Sequence, residues 1–363
     1  MCVLKKNFTI LAIDTSCDET SVAVTVDDRV IANVVSSQIA LHKKYGGVVP
    51  ILAQRAHRER IDAVIEETIN RANKFSINNV DAIAVTVGPG LAPALEVGIA
   101  KAKELALKFQ KSLIAVNHME AHLLSSFAKN SKGKNLVVSS QLSACPTARR
   151  VVGFPLLGLL ISGGHTQLVL MKNFGRYQLI GETLDDALGE AYDKIAKILE
   201  LGYPGGPMIE RLAKTGNPKN YPLPVPMRNR KDLNFSFSGL KTAVLYLVKD
   251  LKKEQGKLLK QIIYDICASF QSAAAQSLVD KLLLAVKQHQ PKAILMGGGV
   301  ISNLYIRKQI RKAVKNLPIG LPYSKKLFTD NAGMIGVCAY FQAKRSDFVK
   351  EIEKIDRVPG LSF

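Results

Sequence analysis

The 363-residue sequence predicts an α/β fold built as two similar lobes around a central cleft. Three observations carry that prediction. A strand–polar turn–strand unit near the N-terminus recurs about 150 residues later. A strand–glycine turn–helix unit follows each copy. The length exceeds one typical core, at roughly 100–200 residues per domain. Hydrophobic residues make up 47% and charged residues 22%, an ordinary globular balance.

The elements follow in order. Residues 8–14 form an apolar run that stops at Thr15-Ser16-Cys17-Asp18-Glu19-Thr20, and 21–26 is a second β-branched run. Residues 52–72 show helical periodicity, with Ile61, Val64, Ile65 and Ile69 on one face. Residues 81–87 read as a strand stopping at Gly88-Pro89-Gly90, and 92–108 as a helix. In the second half, 156–161 ends at Ser162-Gly163-Gly164-His165-Thr166, and 167–171 is again strand-like. Residues 292–296 stop at Gly297-Gly298-Gly299, with a helical segment from Ile301 onward. Residues 130–155 and the Pro-rich, basic stretch 217–234 read as exposed irregular segments.

The charge is uneven. Lys plus Arg total 50 against 30 Asp plus Glu, a net +20. Residues 201–330 hold 22 basic and 7 acidic side chains, net +15, against +4 for 1–200 and +1 for 331–363. Such a field suits a polyanionic partner, a nucleic acid or an anionic membrane surface, with solubility as the plainer reading. Aromatics are 6% and Trp is absent, so base-stacking platforms are not the main device.

Cys2, Cys17, Cys145, Cys267 and Cys338 are odd in number and show no CxxC spacing. That excludes a disulfide framework and a cysteine zinc site, and a reducing cytoplasm is the expected compartment. No signal peptide fits the N-terminus. The longest apolar run, 151–161, contains Gly153, Pro155 and Gly158 and is too short to span a bilayer, so no membrane anchor is expected.

Several motifs carry chemistry. His118-Met119-Glu120-Ala121-His122 sets two histidines at i and i+4, one turn apart on a helix, where both rings can meet one metal. The glutamate is misplaced for a zincin, which removes the usual base for peptide hydrolysis. A third ligand has to come from elsewhere, and a carboxylate suits it; the alternative is an ordinary pair of helix histidines. Asp330-Asn331-Ala332-Gly333 opens a small-residue helix, where Asp330 is either an N-cap or that carboxylate. Asp14, Asp18 and Glu19 crowd the first turn, as Mg²⁺ ligands or a base. Asp185, Asp186, Glu190 and Asp193 form a second acidic cluster, with Asp186, Glu190 and Asp193 spaced for one helix face. Lys241, just after the glycine of Ser238-Gly239-Leu240, can meet a phosphate or simply be solvated. The turns at 88–90, 162–164, 205–206 and 297–299 fall at strand ends, where main-chain N–H groups can approach phosphate closely. No P-loop or Rossmann fingerprint is present.

Taken together, these segments resemble the family of bacterial tRNA N6-adenosine threonylcarbamoyltransferases, once called glycoprotease-like. The matching stretches are 13–21, Ser36-Ser37-Gln38, Tyr45-Gly46-Gly47-Val48-Val49-Pro50, Gly88-Pro89-Gly90-Leu91, 118–122, 162–166, Tyr203-Pro204-Gly205-Gly206-Pro207, 235–242, 297–303 and 330–335, in family order over nearly the whole chain. The resemblance implies the actin/Hsp70/sugar-kinase-like (ASKHA) fold, with a first lobe of 1–125 plus 322–363 and a second lobe of 126–321. It implies transfer of threonylcarbamoyl from threonylcarbamoyl-adenylate to N6 of adenosine 37 in tRNAs reading codons that begin with A.

By position, His118, His122 and Asp330 match the ligands of one divalent metal, Fe or Zn. Leu160, Ile161, Ser162, Gly163, Gly164, Asp193, Gly206, Glu210 and Asn303 match residues holding the adenylate, with Mg²⁺ as a further companion of the nucleotide. Asp18 and Glu19 are assigned proton handling. The partners implied are tRNA, a paralogous dimerisation partner (TsaB-like), an ATPase (TsaE-like) and an adenylate synthase (TsaC-like). The sequence departs from the family at Asp14 (usually Glu), Ile51 (often Glu), Asn117 (usually His), Ala121 (usually Gly) and Glu210 (more often Asp), and its 130–155 loop is longer. Two rivals are a small-molecule kinase of the same fold, which leaves the two histidines and the +15 region unexplained, and a non-catalytic nucleotide-gated subunit.

Overall fold

The computed structural model describes residues 4–73, 75–134 and 153–363. The chain divides into two compact units, residues 1–138 with 320–363 and residues 139–319. Most of the 130–155 loop, with Cys145, Arg149 and Arg150, lies outside the described residues.

In the first unit, β1 (Thr9–Asp14), β2 (Glu19–Val26), β3 (Arg29–Ser37), β4 (Ala82–Gly88) and β5 (Ser112–Asn117) form one sheet in the order β3-β2-β1-β4-β5. β2 runs antiparallel to β1 and β3, while β4 is parallel to β1 and β5. Every residue of β1 and β4 is buried, which is why both read as continuous apolar runs rather than alternating ones. The helices are α1 (Ile39–His42), α2 (Pro50–Arg71), α3 (Ala92–Lys108) and α4 (His118–Leu124). Pro50 opens α2, where its missing N–H costs nothing. The α2 face predicted from the sequence buries Ile61, Val64 and Ile65 in the core, with Ile69 partly buried at its margin.

The second unit repeats the plan. β6 (Leu156–Ile161), β7 (Thr166–Asn173), β8 (Arg176–Glu182), β9 (Ala293–Gly297) and β10 (Ile319–Gly320) stand in the order β10-β9-β6-β7-β8, the first sheet's order read from the other side. Here too the hairpin is antiparallel and the later strand parallel to the first. The helices are α5 (Leu188–Ile198), α6 (Gly205–Ala213), α7 (Ser238–Gln255), α8 (Lys260–His289) and α9 (Leu304–Ala313). The last helix, α10 (Ala332–Ala343), belongs to the first unit and packs on β1, β2 and β3. A Cβ on its Gly336 would stand 2.5 Å from Thr25 Cγ2, so this glycine sets how closely α10 approaches β2. No described helix is long and apolar enough to cross a membrane.

Four local expectations change. Gly205-Gly206 ends no strand; it opens α6, after α5. The helix expected from Ile301 starts at Leu304, because the Asn303 side chain caps it by accepting from Tyr305 N and Ile306 N. Asp185 and Asp186 precede α5, and Asp185 instead accepts from Phe237 N and Ser238 N at the start of α7. Lys241 lies inside α7, and its partly exposed ammonium donates to Asp186 Oδ2 at 2.6 Å, so it is paired with a carboxylate.

The stretch 217–234 has no helix or strand, as expected, but it is tied to α8. Asp265 accepts from Asn217 N at 2.8 Å and Asn220 Nδ2 at 2.7 Å. Ser269 and Ser277 donate to the carbonyls of Pro218 and Pro226. The buried Lys281 ammonium donates to the carbonyls of Arg230 at 2.9 Å and Asp232 at 2.7 Å. One helix face thus satisfies main-chain groups that no sheet or helix pairs, and Arg228, Arg230 and Lys231 stand exposed on the segment it holds.

Candidate metal centre

β5 runs directly into α4, and Asn117 sits at the junction. Its Oδ1 accepts from Met119 N at 2.8 Å and Glu120 N at 3.1 Å, so the residue that departs from the family pattern is the N-cap of the histidine helix. One helical turn then brings the His118 and His122 ring centroids to 4.6 Å. Replacing Asn117 with alanine is expected to lower stability by about 1 kcal/mol, read as a lower urea midpoint with an unchanged slope.

The third group arrives from 208 residues further along the chain. Asp330 does not cap α10; Asn331 does, accepting from Met334 N. Asp330 is left free to turn inward, and its Oδ1 lies 3.3 Å from His118 Nε2 and 3.1 Å from His122 Nε2. The three ligand atoms fall within 4.8 Å of one another. Both histidines are buried.

These residues fit a divalent metal. Two imidazoles and a carboxylate are the donor set that Fe and Zn accept. His118 Nδ1, His122 Nδ1 and Asp14 Oδ2 are buried and have no hydrogen-bond partner. The electrostatics point the same way. Burial disfavours a charged His118, but the Asp330 and Asp14 carboxylates outweigh it and push its pKa up to about 10. Burial, helped by the His118 charge, moves His122 down. Burial would raise Asp330, yet the two imidazoles hold it far below the ordinary carboxylate range. The pocket therefore favours one added positive charge, the part a cation plays.

The β1–β2 turn carries Asp18 and Glu19. Asp18 is buried, and its carbonyl accepts from Gln38 N. Burial first, then the Asp18, Asp330 and Asp14 charges, raises the Glu19 carboxyl well above its usual range. Sequence reasoning missed His57 on α2, which braces this turn: Nδ1 meets Thr20 Oγ1 at 2.8 Å and Nε2 meets the Cys17 carbonyl at 3.0 Å. It also missed His42, whose Nδ1 accepts from Val49 N and whose Nε2 meets Gln38 Oε1. His57 acts on chain 37 and 40 residues away, which no local pattern records, whereas His42 closes the local segment from Gln38 to Val49.

The remaining site residues lie in the second unit. Leu160 and Ile161 are fully buried strand residues, and the Ile161 carbonyl is so close to Gly298 that no Cβ fits there. Ser162 Oγ accepts from His165 N at 3.1 Å, and Glu190 N donates to the Gly163 carbonyl. Gly163, Gly164 and Gly206 have open space where a Cβ would stand. Lys194 bridges Asp186 and Glu190, while Asp193 Oδ1 accepts from Gly205 N at 2.7 Å. Glu210 Oε1 accepts from Leu304 N at 2.7 Å, and the Asn303 amide donates to Gln271 Oε1 at 2.8 Å.

A family model described as TsaD, tRNA N6-adenosine threonylcarbamoyltransferase, matches residues 29–337. The chain is 44% identical over 355 residues to the protein of that name from Protochlamydia amoebophila, covering 96% of this chain and 98% of that one. The chain belongs to the TsaD family. The namesake from Thermosipho africanus is 42% identical over 354 residues, covering 97% and 99%. Among solved structures, HypF from T. kodakarensis shares the fold at a TM-score of 0.57, with 15% identity, 94% of this chain and 48% of that chain covered. The architecture is the actin/sugar-kinase-like one expected from the sequence, and this TsaD-family chain is a transferase of tRNA modification.

Proposed function

We propose that the chain transfers a threonylcarbamoyl group from threonylcarbamoyl-adenylate to N6 of adenosine 37 in tRNAs reading codons that begin with A. The observation that carries the reading is the convergence of His118, His122 and Asp330 within a TsaD-family chain. In the reaction, the N6 amino group attacks the carbamoyl carbon. The bond from that carbon to the phosphate oxygen breaks, AMP leaves, and the N6 proton passes to a base. His118, His122 and Asp330 would hold a divalent metal, Fe or Zn, which would supply Lewis acidity to the transfer.

The chain's own residues do the rest. Asp18 and Glu19 are assigned proton handling, and burial together with the neighbouring carboxylates raises the Glu19 carboxyl well above its usual range. Gly163, Gly164 and Gly206 offer main-chain N–H groups to the adenylate phosphate, an assignment supported by the open space beside the three glycines and by the α6 N-terminus at Gly206; Ser162, whose N–H donates to the His165 carbonyl, is left with its hydroxyl for the adenylate. Asp193 positions that N-terminus through Gly205 N. Glu210 and Asn303 are assigned to the adenosine, and Leu160 and Ile161 contribute main chain only, since their side chains are buried. Mg²⁺ with the nucleotide, a TsaB-like dimerisation partner, a TsaE-like ATPase and a TsaC-like adenylate synthase complete the reading, which rests on family membership.

The test is incorporation. The chain is incubated with labelled threonine, bicarbonate, ATP, an adenylate-forming enzyme and unmodified tRNA. Label is expected in tRNA adenosine only when the chain is present. Label-free tRNA, with every partner supplied, would overturn the reading.

A further inference from the structure

We infer that Asp14 is the positioning carboxylate of the metal centre: it receives the Nδ1–H of His118 and so holds Nε2 toward the metal. The inference rests on the reading of His118, His122 and Asp330 as ligands. Asp14 closes β1 and is fully buried. One of its oxygens is used, with Oδ1 accepting from Ser16 N at 3.2 Å. The other, Oδ2, has no hydrogen-bond partner, and neither has His118 Nδ1. These two orphaned atoms face each other at 3.7 Å, while Nε2 of the same ring points to Asp330.

A buried carboxylate oxygen and a buried ring nitrogen left unpaired are both costly. One small movement of either side chain satisfies both, with Nδ1–H donating to Oδ2. A neutral imidazole carries a single N–H, so placing it on Nδ1 leaves the Nε2 lone pair free to ligate. The carboxylate then orients the ring and strengthens it as a donor. Strand and helix supply the two halves: Asp14 ends β1, His118 begins α4, and Thr15 Oγ1 anchors the turn after β1 to the Ala94 carbonyl.

The test measures metal binding, not transfer. Metal-stripped wild type, Asp14→Ala, Asp14→Asn, Asp14→Glu and His122→Ala are titrated with Zn²⁺ against a chromophoric chelator. Co²⁺ absorption spectra are recorded for each. Asp14→Ala is expected to lose roughly 10- to 100-fold in Zn²⁺ affinity and to shift the Co²⁺ bands. Asp14→Glu, with a longer arm to the same nitrogen, is expected to rescue affinity to within about threefold of wild type and to restore the bands. Should the alanine variant fail to fold, Asn against Glu decides. Weaker binding by the isosteric but uncharged Asn supports the inference, and equal binding overturns it. Wild-type affinity and an unchanged Co²⁺ spectrum in Asp14→Ala would overturn it while leaving the ligand assignment standing. Undiminished binding by His122→Ala would instead remove the ligand assignment, and this inference with it.

Discussion

His118→Ala is expected to strip the metal and abolish threonylcarbamoyl transfer together. His118 Nε2 is one of three ligand atoms gathered within 4.8 Å, so its loss leaves a two-residue site from which His122 and Asp330 cannot hold a divalent cation tightly. Even partners outside the ligand set cost about 10- to 100-fold in affinity when removed, so losing a ligand should cost more than about 100-fold. The variant should still fold: His118 begins a helix capped from outside by Asn117, and Met119, Leu123 and Leu124 of that helix stay packed. Metal content after dialysis and label transfer to tRNA are the two readings. Normal transfer by a metal-free His118→Ala protein would break the link between them.

Reversing Lys308, Arg311 and Lys312 to glutamate is expected to weaken tRNA binding strongly and flatten its salt dependence. α9 buries Ile306 and Ile310 and turns these three cations outward. They belong to the 201–330 stretch that carries 22 basic against 7 acidic residues. Each phosphate that is no longer neutralised should lower the salt slope by about 0.7–0.9, and three together should cost roughly 10- to 1,000-fold in affinity at moderate salt. Reversing Arg228 and Lys231, on the segment pinned to α8, should weaken binding further. Adenylate binding should be unchanged, because none of these residues is assigned to the nucleotide. Unchanged tRNA affinity would make the +15 a matter of solubility.

The sequence shows the duplication because the central strands are buried on both faces. β1, β4, β6 and β9 read as apolar runs ending at polar or glycine turns, and those stops are local chemistry. The edge strands β3 and β8 are only partly buried, so they lack the continuous apolar run that marks the central strands. His118 and His122 are legible for the same local reason, as i and i+4 on one helix. Asp330 is ambiguous in sequence because Asp and Asn both cap helices; the structure gives the cap to Asn331 and leaves Asp330 to the histidines. What escapes is long-range. Asp14 facing His118, Asp186 held by Lys194 and Lys241, His57 bracing the Cys17 turn, and Lys281 tying down Arg230 all join groups beyond the reach of a local pattern. No periodicity records such pairs, since they depend on which elements become neighbours. The acidic cluster at 185–193 shows the limit well: its spacing suggests one shared face, whereas its members serve the N-termini of α6 and α7 and two lysines.

The most direct test of the centre is metal analysis of purified wild type and Asp330→Ala, each paired with the transfer assay. The ligand assignment predicts about one equivalent of Fe or Zn in active wild type, and neither metal nor transfer in Asp330→Ala. A full equivalent of metal retained by Asp330→Ala, or full transfer by a wild-type protein carrying no metal, would contradict it.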